Sequence, residues 1–196
     1  PSMPTWPRQP LGSQRPARLL PGLTLVVSPH IALMQDQVDE LTRKGLRASA
    51  LHSLASLPGR RAAIADAKKG ELRLLYVAPE RLMLESFIAK VKEWNVAQVA
   101  IDEAHCISEW GHDFRPEYRE LKKLRKHLPD VPLMALTATA TERVRTDIVK
   151  ELKLRDPRCY VASFNRPNLT YRIIPKSGPY EQLLAFIRSR PNDSGI

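Results

Sequence analysis

Apolar residues in this chain gather into short runs, separated by longer segments in which they recur every three or four positions. Leu23–Val27 is such a run, and a strand covered on both faces reads this way. Ser28 and Pro29 then supply an N-cap and a first helical residue. Ile31, Met34, Val38 and Leu41 follow at helical spacing, and Gly45 closes the helix. The same reasoning predicts strands over 48–51, 72–77, 96–101, 133–136 and 159–164. Helices are predicted over 60–69, 80–94, 118–128 and 142–152. After Pro167 another unit begins, with a strand over 169–174 and a helix over 180–189.

Strand alternating with helix predicts an α/β fold, a parallel sheet with helices on both faces. Such sheets bind ligands beyond the carboxyl ends of their strands. That places Ser28, the pair Asp102 and Glu103, and the turn Thr137, Ala138 and Thr139 where a site is expected. Residues 1–22 differ from the rest. Pro1, Pro4, Pro7, Pro10, Pro16 and Pro21 argue against a regular helix there, so a disordered Pro-rich segment is expected.

Composition narrows the class. With 43% hydrophobic and 27% charged residues the chain reads as a soluble globular protein. No apolar run is long enough to span a bilayer, and no basic segment followed by an apolar core suggests a secretory signal. Two cysteines provide neither a disulfide framework nor zinc-ligand spacing, so no zinc site and a reducing, cytoplasmic setting are expected. Lys and Arg outnumber Asp and Glu by 31 to 21, a formal charge of +10. A polyanionic partner such as nucleic acid fits that surplus; so does simple solubility.

The strand over 96–101 runs directly into Asp102, Glu103, Ala104 and His105. An apolar strand tipped by Asp-Glu suits metal binding and water activation in nucleotide hydrolysis. Two acids at a strand end also serve as helix caps or solvated turn residues. The residues that follow are unusual: Trp110, His112, Phe114 and Arg115 crowd into one loop before Pro116. Burying that mixture strands polar groups, and exposing it leaves aromatic surface in water. Stacking on bases gives such a loop a purpose; packing on its own domain with Trp110 as anchor is the alternative.

The run DEAHCISEWGHDFRPEY closely resembles the second motif and adjoining aromatic-rich loop of the RecQ DNA helicases. SPHIALMQDQVDEL, YVAPERL, MALTATAT and SFNRPNLTY resemble further motifs of that family, in the family's order. RNA helicases that share the DEAH letters lack the WGHDFRP loop. The resemblance implies a RecA-like motor domain over 23–166, the start of a second motor domain over 167–196, and ATP-dependent 3′→5′ DNA unwinding in recombination and repair. It implies ATP and Mg²⁺ as cofactors, with Asp102 holding Mg²⁺ through water and Glu103 as catalytic carboxylate. His105 would link nucleotide to DNA sensing. Thr137, Ala138 and Thr139 would couple the carboxylates to domain movement, unless the threonines only cap the helix from Glu142. Trp110, His112, Phe114 and Arg115 would meet single-stranded or duplex DNA. Ser28 would lie near the DNA path, or act as a plain N-cap. Asn165 and Arg166 fall at the inter-domain connection, as linker or active residues.

Three departures accompany the resemblance. No GxxxxGK[ST] phosphate-binding loop occurs, the second motor domain has barely begun, and His30 stands where relatives usually carry an apolar residue. The chain is therefore expected to be a fragment, inactive alone. A non-catalytic single-stranded-DNA-binding protein is the alternative.

Overall fold

A computed structural model describes residues 8–162, 169–170 and 172–191. Five parallel strands form its sheet: β1 (Leu23–Val27), β2 (Ala48–Leu51), β3 (Leu74–Val77), β4 (Val96–Ile101) and β5 (Leu133–Ala135), in the order β2-β3-β1-β4-β5. The helices are α1 (Arg8–Leu19), α2 (Ile31–Arg43), α3 (Leu57–Lys68), α4 (Pro79–Leu82), α5 (Glu85–Val91), α6 (Pro116–Glu120), α7 (Leu124–His127), α8 (Glu142–Glu151) and α9 (Pro179–Arg188). Two single turns of 3₁₀ helix cover Ala104–Ile107 and Leu121–Lys123. The expected α/β architecture is present.

Alternation along the strands divides the core. Leu25, Val27, Leu75, Val77, Val99 and Ile101 face one apolar cluster, which Phe87, Tyr118, Leu121 and Ile148 complete. Val26, Leu74, Tyr76 and Ala100 face another, against Met34, Val38 and Leu41 of α2. Both faces are thus covered, which is why β1, β3 and β4 read as apolar runs broken only by the buried Thr24 and Gln98.

β1 is central, with β3 on one side and β4 on the other, and Val27 pairs with both Val77 and Ile101. Entry into β1 is tight: a Cβ on Gly22 (φ +124°) would stand 2.6 Å from the Asn95 carbonyl oxygen. That carbonyl accepts the Leu23 N–H at 2.8 Å, starting the β1–β4 ladder.

Several expectations need correction. The proline-rich start holds a helix, α1, over Arg8–Leu19 with Pro16 inside it. A proline removes one backbone donor and strains the preceding turn, but burial of Ser13 and Ala17 against the sheet offsets that cost. The helix expected over 80–94 breaks at Met83 and Leu84, where Leu84 turns extended (ψ 126°) as N-cap of α5. The helix over 118–128 is a chain of short pieces, α6, a 3₁₀ turn and α7. Helix α2 is capped by His30, not Ser28, and His30 is solvent-exposed. Its polar side chain therefore disturbs no apolar packing.

The compact unit built on the sheet reaches Pro157, and a second unit starts at Arg158. Within the second unit, described residues of the strands expected over 159–164 and 169–174 are not in strands. Val161 is 64% and Ile173 97% exposed. A strand needs a paired neighbour, and among the described residues none bonds to these. Helix α9 forms as expected, with Tyr180, Leu183, Phe186 and Ile187 exposed. Phe164, Asn165 and Arg166 lie outside the described residues. No described helix is long and apolar enough to cross a membrane.

Candidate active site

The parallel register brings the expected strand-end residues together. Asp102 follows β4 directly, and its N–H donates to the Val27 carbonyl at 2.8 Å, beside Ser28 at the end of β1. On the other side Leu136 N–H donates to the Ile101 carbonyl, and Ala104 N–H donates back to Leu136. Thr137 is thereby delivered next to His105. Tyr118, fully buried on α6, donates its hydroxyl to the Asp102 carbonyl at 3.0 Å and braces the strand end from below.

Glu103 adopts a left-handed backbone (φ 48°, ψ 42°), a costly conformation for a residue with a side chain. The bend starts the 3₁₀ turn and carries the Glu103 carboxylate to 3.2 Å from His105 Nδ1. The same nitrogen lies 2.9 Å from Thr137 Oγ1. Thr137 Oγ1 in turn accepts the Thr139 N–H at 3.3 Å. The imidazole of His105 stacks on that of His112 at 4.1 Å between centroids, and His112 Nδ1 lies 3.5 Å from Thr139 Oγ1. Ala138, exposed between the two threonines, contributes only its backbone to the turn.

Burial governs the charges here. Asp102 is pushed up to about 6, chiefly by burial and then by the neighbouring Glu103 carboxylate, while the Glu103 N–H that its Oδ1 accepts opposes the shift. Burial likewise holds His105 below the usual histidine value, against the pull of Glu103. A neutral imidazole near pH 7 can donate toward Glu103 and Thr137 when its proton sits on Nδ1.

The aromatic loop packs beside this pair. Trp110 is 59% and Phe114 36% exposed, so one face of each ring meets water. Ser108, fully buried, donates to Asp147 of α8 at 2.7 Å and accepts the Trp110 N–H at 3.2 Å. The Arg143 guanidinium, also from α8, stands 3.2 Å from the Trp110 ring centroid. Arg119 of α6 covers Phe114 at 5.4 Å and pairs with Glu109 at 2.9 Å. Arg115 donates from both Nε and Nη2 to Asp113, whose carboxyl is held below its ordinary value by that bond. A Cβ on Gly111 would stand 2.4 Å from the His105 carbonyl oxygen, so only glycine fits that bend.

Residues 14–148 match the family described as DEAD/DEAH box helicase. The chain belongs to that helicase family. Among curated relatives, the ATP-dependent DNA helicase RecQ of Pasteurella multocida is 47% identical over 93% of this chain and 29% of its own length. RecQ of Bacillus subtilis is 40% identical over 99% of this chain and 33% of its own. The ATP-dependent helicase SGS1 of Saccharomyces cerevisiae is 41% identical over 89% of this chain and 13% of its own. This helicase chain thus spans about a third or less of the relatives it matches. A looser structural likeness (TM-score 0.49, 16% identity) covers 72% of this chain and 29% of the Pyrococcus furiosus Hef helicase domain.

Of the residues picked from sequence, Asp102, Glu103, His105, His112, Thr137 and Thr139 form one connected group in this helicase domain. Ser28 lies outside this group: it is 5% exposed and its hydroxyl stands 3.5 Å from the His30 backbone nitrogen, which leaves DNA little to touch. Helix α8 is capped by Thr141, whose hydroxyl accepts the Val144 N–H. Thr137 and Thr139 are therefore not its caps. Sequence reasoning missed Tyr118, Arg119, Arg143 and Asp147. Their spacing is ordinary helix spacing, and only the packing of α6 and α8 on the strand end brings them to the site.

Proposed function

We propose that this chain is the nucleotide-hydrolysing part of a RecQ-type ATP-dependent DNA helicase. It acts in the cytoplasm, working with a second motor domain to unwind DNA 3′→5′ in recombination and repair. The observation that carries the proposal is the continuous contact from Glu103 through His105 to Thr137. In one place it joins a strand-end carboxylate, the turn from Thr137 to Thr139 and, through the stacked His105 and His112 rings, the exposed aromatic loop.

Asp102 and Glu103 offer only oxygen donors, which suits Mg²⁺. Among the described residues no three His, Cys, Asp or Glu side chains converge as a protein-only metal cage. Asp102 would hold the ion through water. Bound Mg²⁺ neutralises charge on the transferring phosphoryl group. Glu103 orients the attacking water and accepts its proton. His105 fixes the Glu103 carboxylate and reports its position to Thr137. Trp110 and Phe114 present ring faces to single-stranded bases, and the surplus of basic residues draws the phosphates.

A second reading, a single-stranded-DNA-binding chain without hydrolysis, rests on the exposed Trp110 and Phe114 rings and the surplus of basic residues. Phosphate release separates the two. The 196-residue chain should release none. A protein joining this domain to a phosphate-binding loop and a second motor domain should hydrolyse ATP, and Glu103→Gln should abolish that activity. Hydrolysis in the joined protein that survives Glu103→Gln would remove the catalytic role given to the carboxylate.

A further inference from the structure

Each exposed aromatic of the loop has a guanidinium over one face. For Phe114 the contact is 5.4 Å, and its arginine is shared with Glu109. For Trp110 it is 3.2 Å, from Arg143, an exposed residue in the first turn of α8. One turn further along the same helix, Asp147 holds Ser108, which in turn holds the Trp110 backbone N–H. Helix α8 therefore grips the loop at two points, one on the indole ring and one on the main chain beneath it.

We propose that Arg143 is a positioning residue for Trp110, clamping the inner face of the indole so that its outer face stands ready for a base. The inference rests on the reading of the loop as a DNA contact. It adds a residue whose task is the orientation of the platform and not a bond to DNA.

A tryptophan that is 59% exposed has no packing shell to fix its side-chain angles. Left free, it samples several rotamers, and a base that stacks on one of them must first select it. A planar guanidinium stacked on the ring removes that freedom through cation–π attraction and matched flat surfaces. Asp147 and Ser108 fix the other end, at the Trp110 amide. Because α8 follows the turn of Thr137 and Thr139 directly, a shift of that turn moves the clamp and the indole with it. The clamp thus also links ring orientation to the His105–Thr137 contact.

The test measures binding of the 196-residue chain to a deoxythymidine oligonucleotide by fluorescence anisotropy at several salt concentrations. Trp110→Ala, Arg143→Ala, Arg143→Lys and the Trp110→Ala/Arg143→Ala pair are compared. Arg143→Ala should weaken binding about two- to fivefold, the range of a surface cation–π contact. It should leave the salt dependence and the melting curve unchanged. Arg143→Lys should not restore affinity, since its point charge lacks the flat stacking surface. The pair should bind no more weakly than Trp110→Ala alone, because the arginine acts through the ring. If Arg143→Ala lowers the salt dependence, adds to Trp110→Ala and is rescued by lysine, Arg143 is a direct phosphate contact and the proposal is overturned.

Should Trp110→Ala itself bind normally, the DNA role of the loop fails. The clamp then stands or falls on nuclear magnetic resonance without DNA. Ring-current-shifted Arg143 side-chain protons that return to ordinary positions in Trp110→Ala would preserve the contact. Unshifted protons in the unmodified chain would remove it.

Discussion

His105 Nδ1 lies 2.9 Å from Thr137 Oγ1, and this contact joins the strand-end carboxylates to the turn that leads into α8. His105 is 4% exposed, so water cannot easily replace the hydroxyl. Thr137→Val keeps the shape and removes the partner, and it should cost about 1 kcal/mol, the usual net worth of such a bond. The parallel change Thr139→Val, at an exposed 3.5 Å contact with His112, should cost almost nothing. Urea denaturation of both variants measures the difference. Equal losses would mean that the His105–Thr137 bond carries no special weight.

Asp102 gives a pH dependence with a definite sign. Its folded value of about 6 exceeds the ordinary 3.8, so the ionised carboxylate is the disfavoured form in the fold. The penalty is absent below about pH 4, grows as pH rises, and is complete above the folded value. Asp102→Asn cannot ionise and retains an oxygen for the Glu103 N–H. It should therefore be the more stable protein at pH 7.5, by up to about 3 kcal/mol at 1.36 kcal/mol per pKa unit. The gap should narrow as pH falls toward 4.5. His105 works the opposite way: its lowered value means stability is lost as acid protonates it. Subtracting the two melting-temperature profiles isolates Asp102, and a difference that stays flat from pH 4.5 to 7.5 would contradict the buried-carboxylate picture.

Gly111 tests whether the loop has a defined conformation. An added Cβ meets the His105 carbonyl at 2.4 Å and the Ser108 carbonyl at 3.1 Å, and both are backbone. Gly111→Ala should destabilise the domain by about 1–3 kcal/mol, the usual cost of overpacking. It should also displace the Trp110 indole resonance. A melting curve and an indole spectrum that both match the unmodified chain would show a loop loose enough to absorb the methyl group.

Binding of the 196-residue chain to single-stranded DNA should be weak and should fall steeply as salt rises, because phosphate contacts release bound counterions. Anisotropy titrations across a range of salt concentrations measure the slope. Affinity that hardly changes with salt would shift the weight from the basic surface to stacking.

How much of this was legible in the sequence depended on where each interaction came from. β1 and β4 could be placed to the residue because burial on both faces leaves a run that is apolar but for Thr24 and Gln98. Asp102 and Glu103 could be found because they end such a run. The break at Met83 and Leu84 left no trace, since helical spacing continues across it. Pro16 misled because a proline's local cost is visible in sequence, whereas the burial of Ala17 and Ser13 that offsets it is not. For the same reason the loop could be recognised but not its holders. Trp110 and Phe114 are conspicuous in composition, while Arg143, Asp147 and Tyr118 become partners only when helices pack. The exposed apolar stretch near Val161 shows the converse: strand-like composition makes no strand without a neighbour to complete the ladder.

The central claim is that the aromatic loop communicates with the carboxylate pair. ATP hydrolysis with and without single-stranded DNA tests it most directly, in a protein joining this domain to a phosphate-binding loop and a second motor domain. Base stacking on an aromatic ring is worth about 1–3 kcal/mol, enough to bias a two-state shift of the loop. Trp110→Ala and Phe114→Ala should therefore keep basal hydrolysis and normal melting curves while losing most of the stimulation by DNA. Full stimulation in both stable variants would contradict the coupling, and joint loss of stability and basal activity would show the loop to be packing alone.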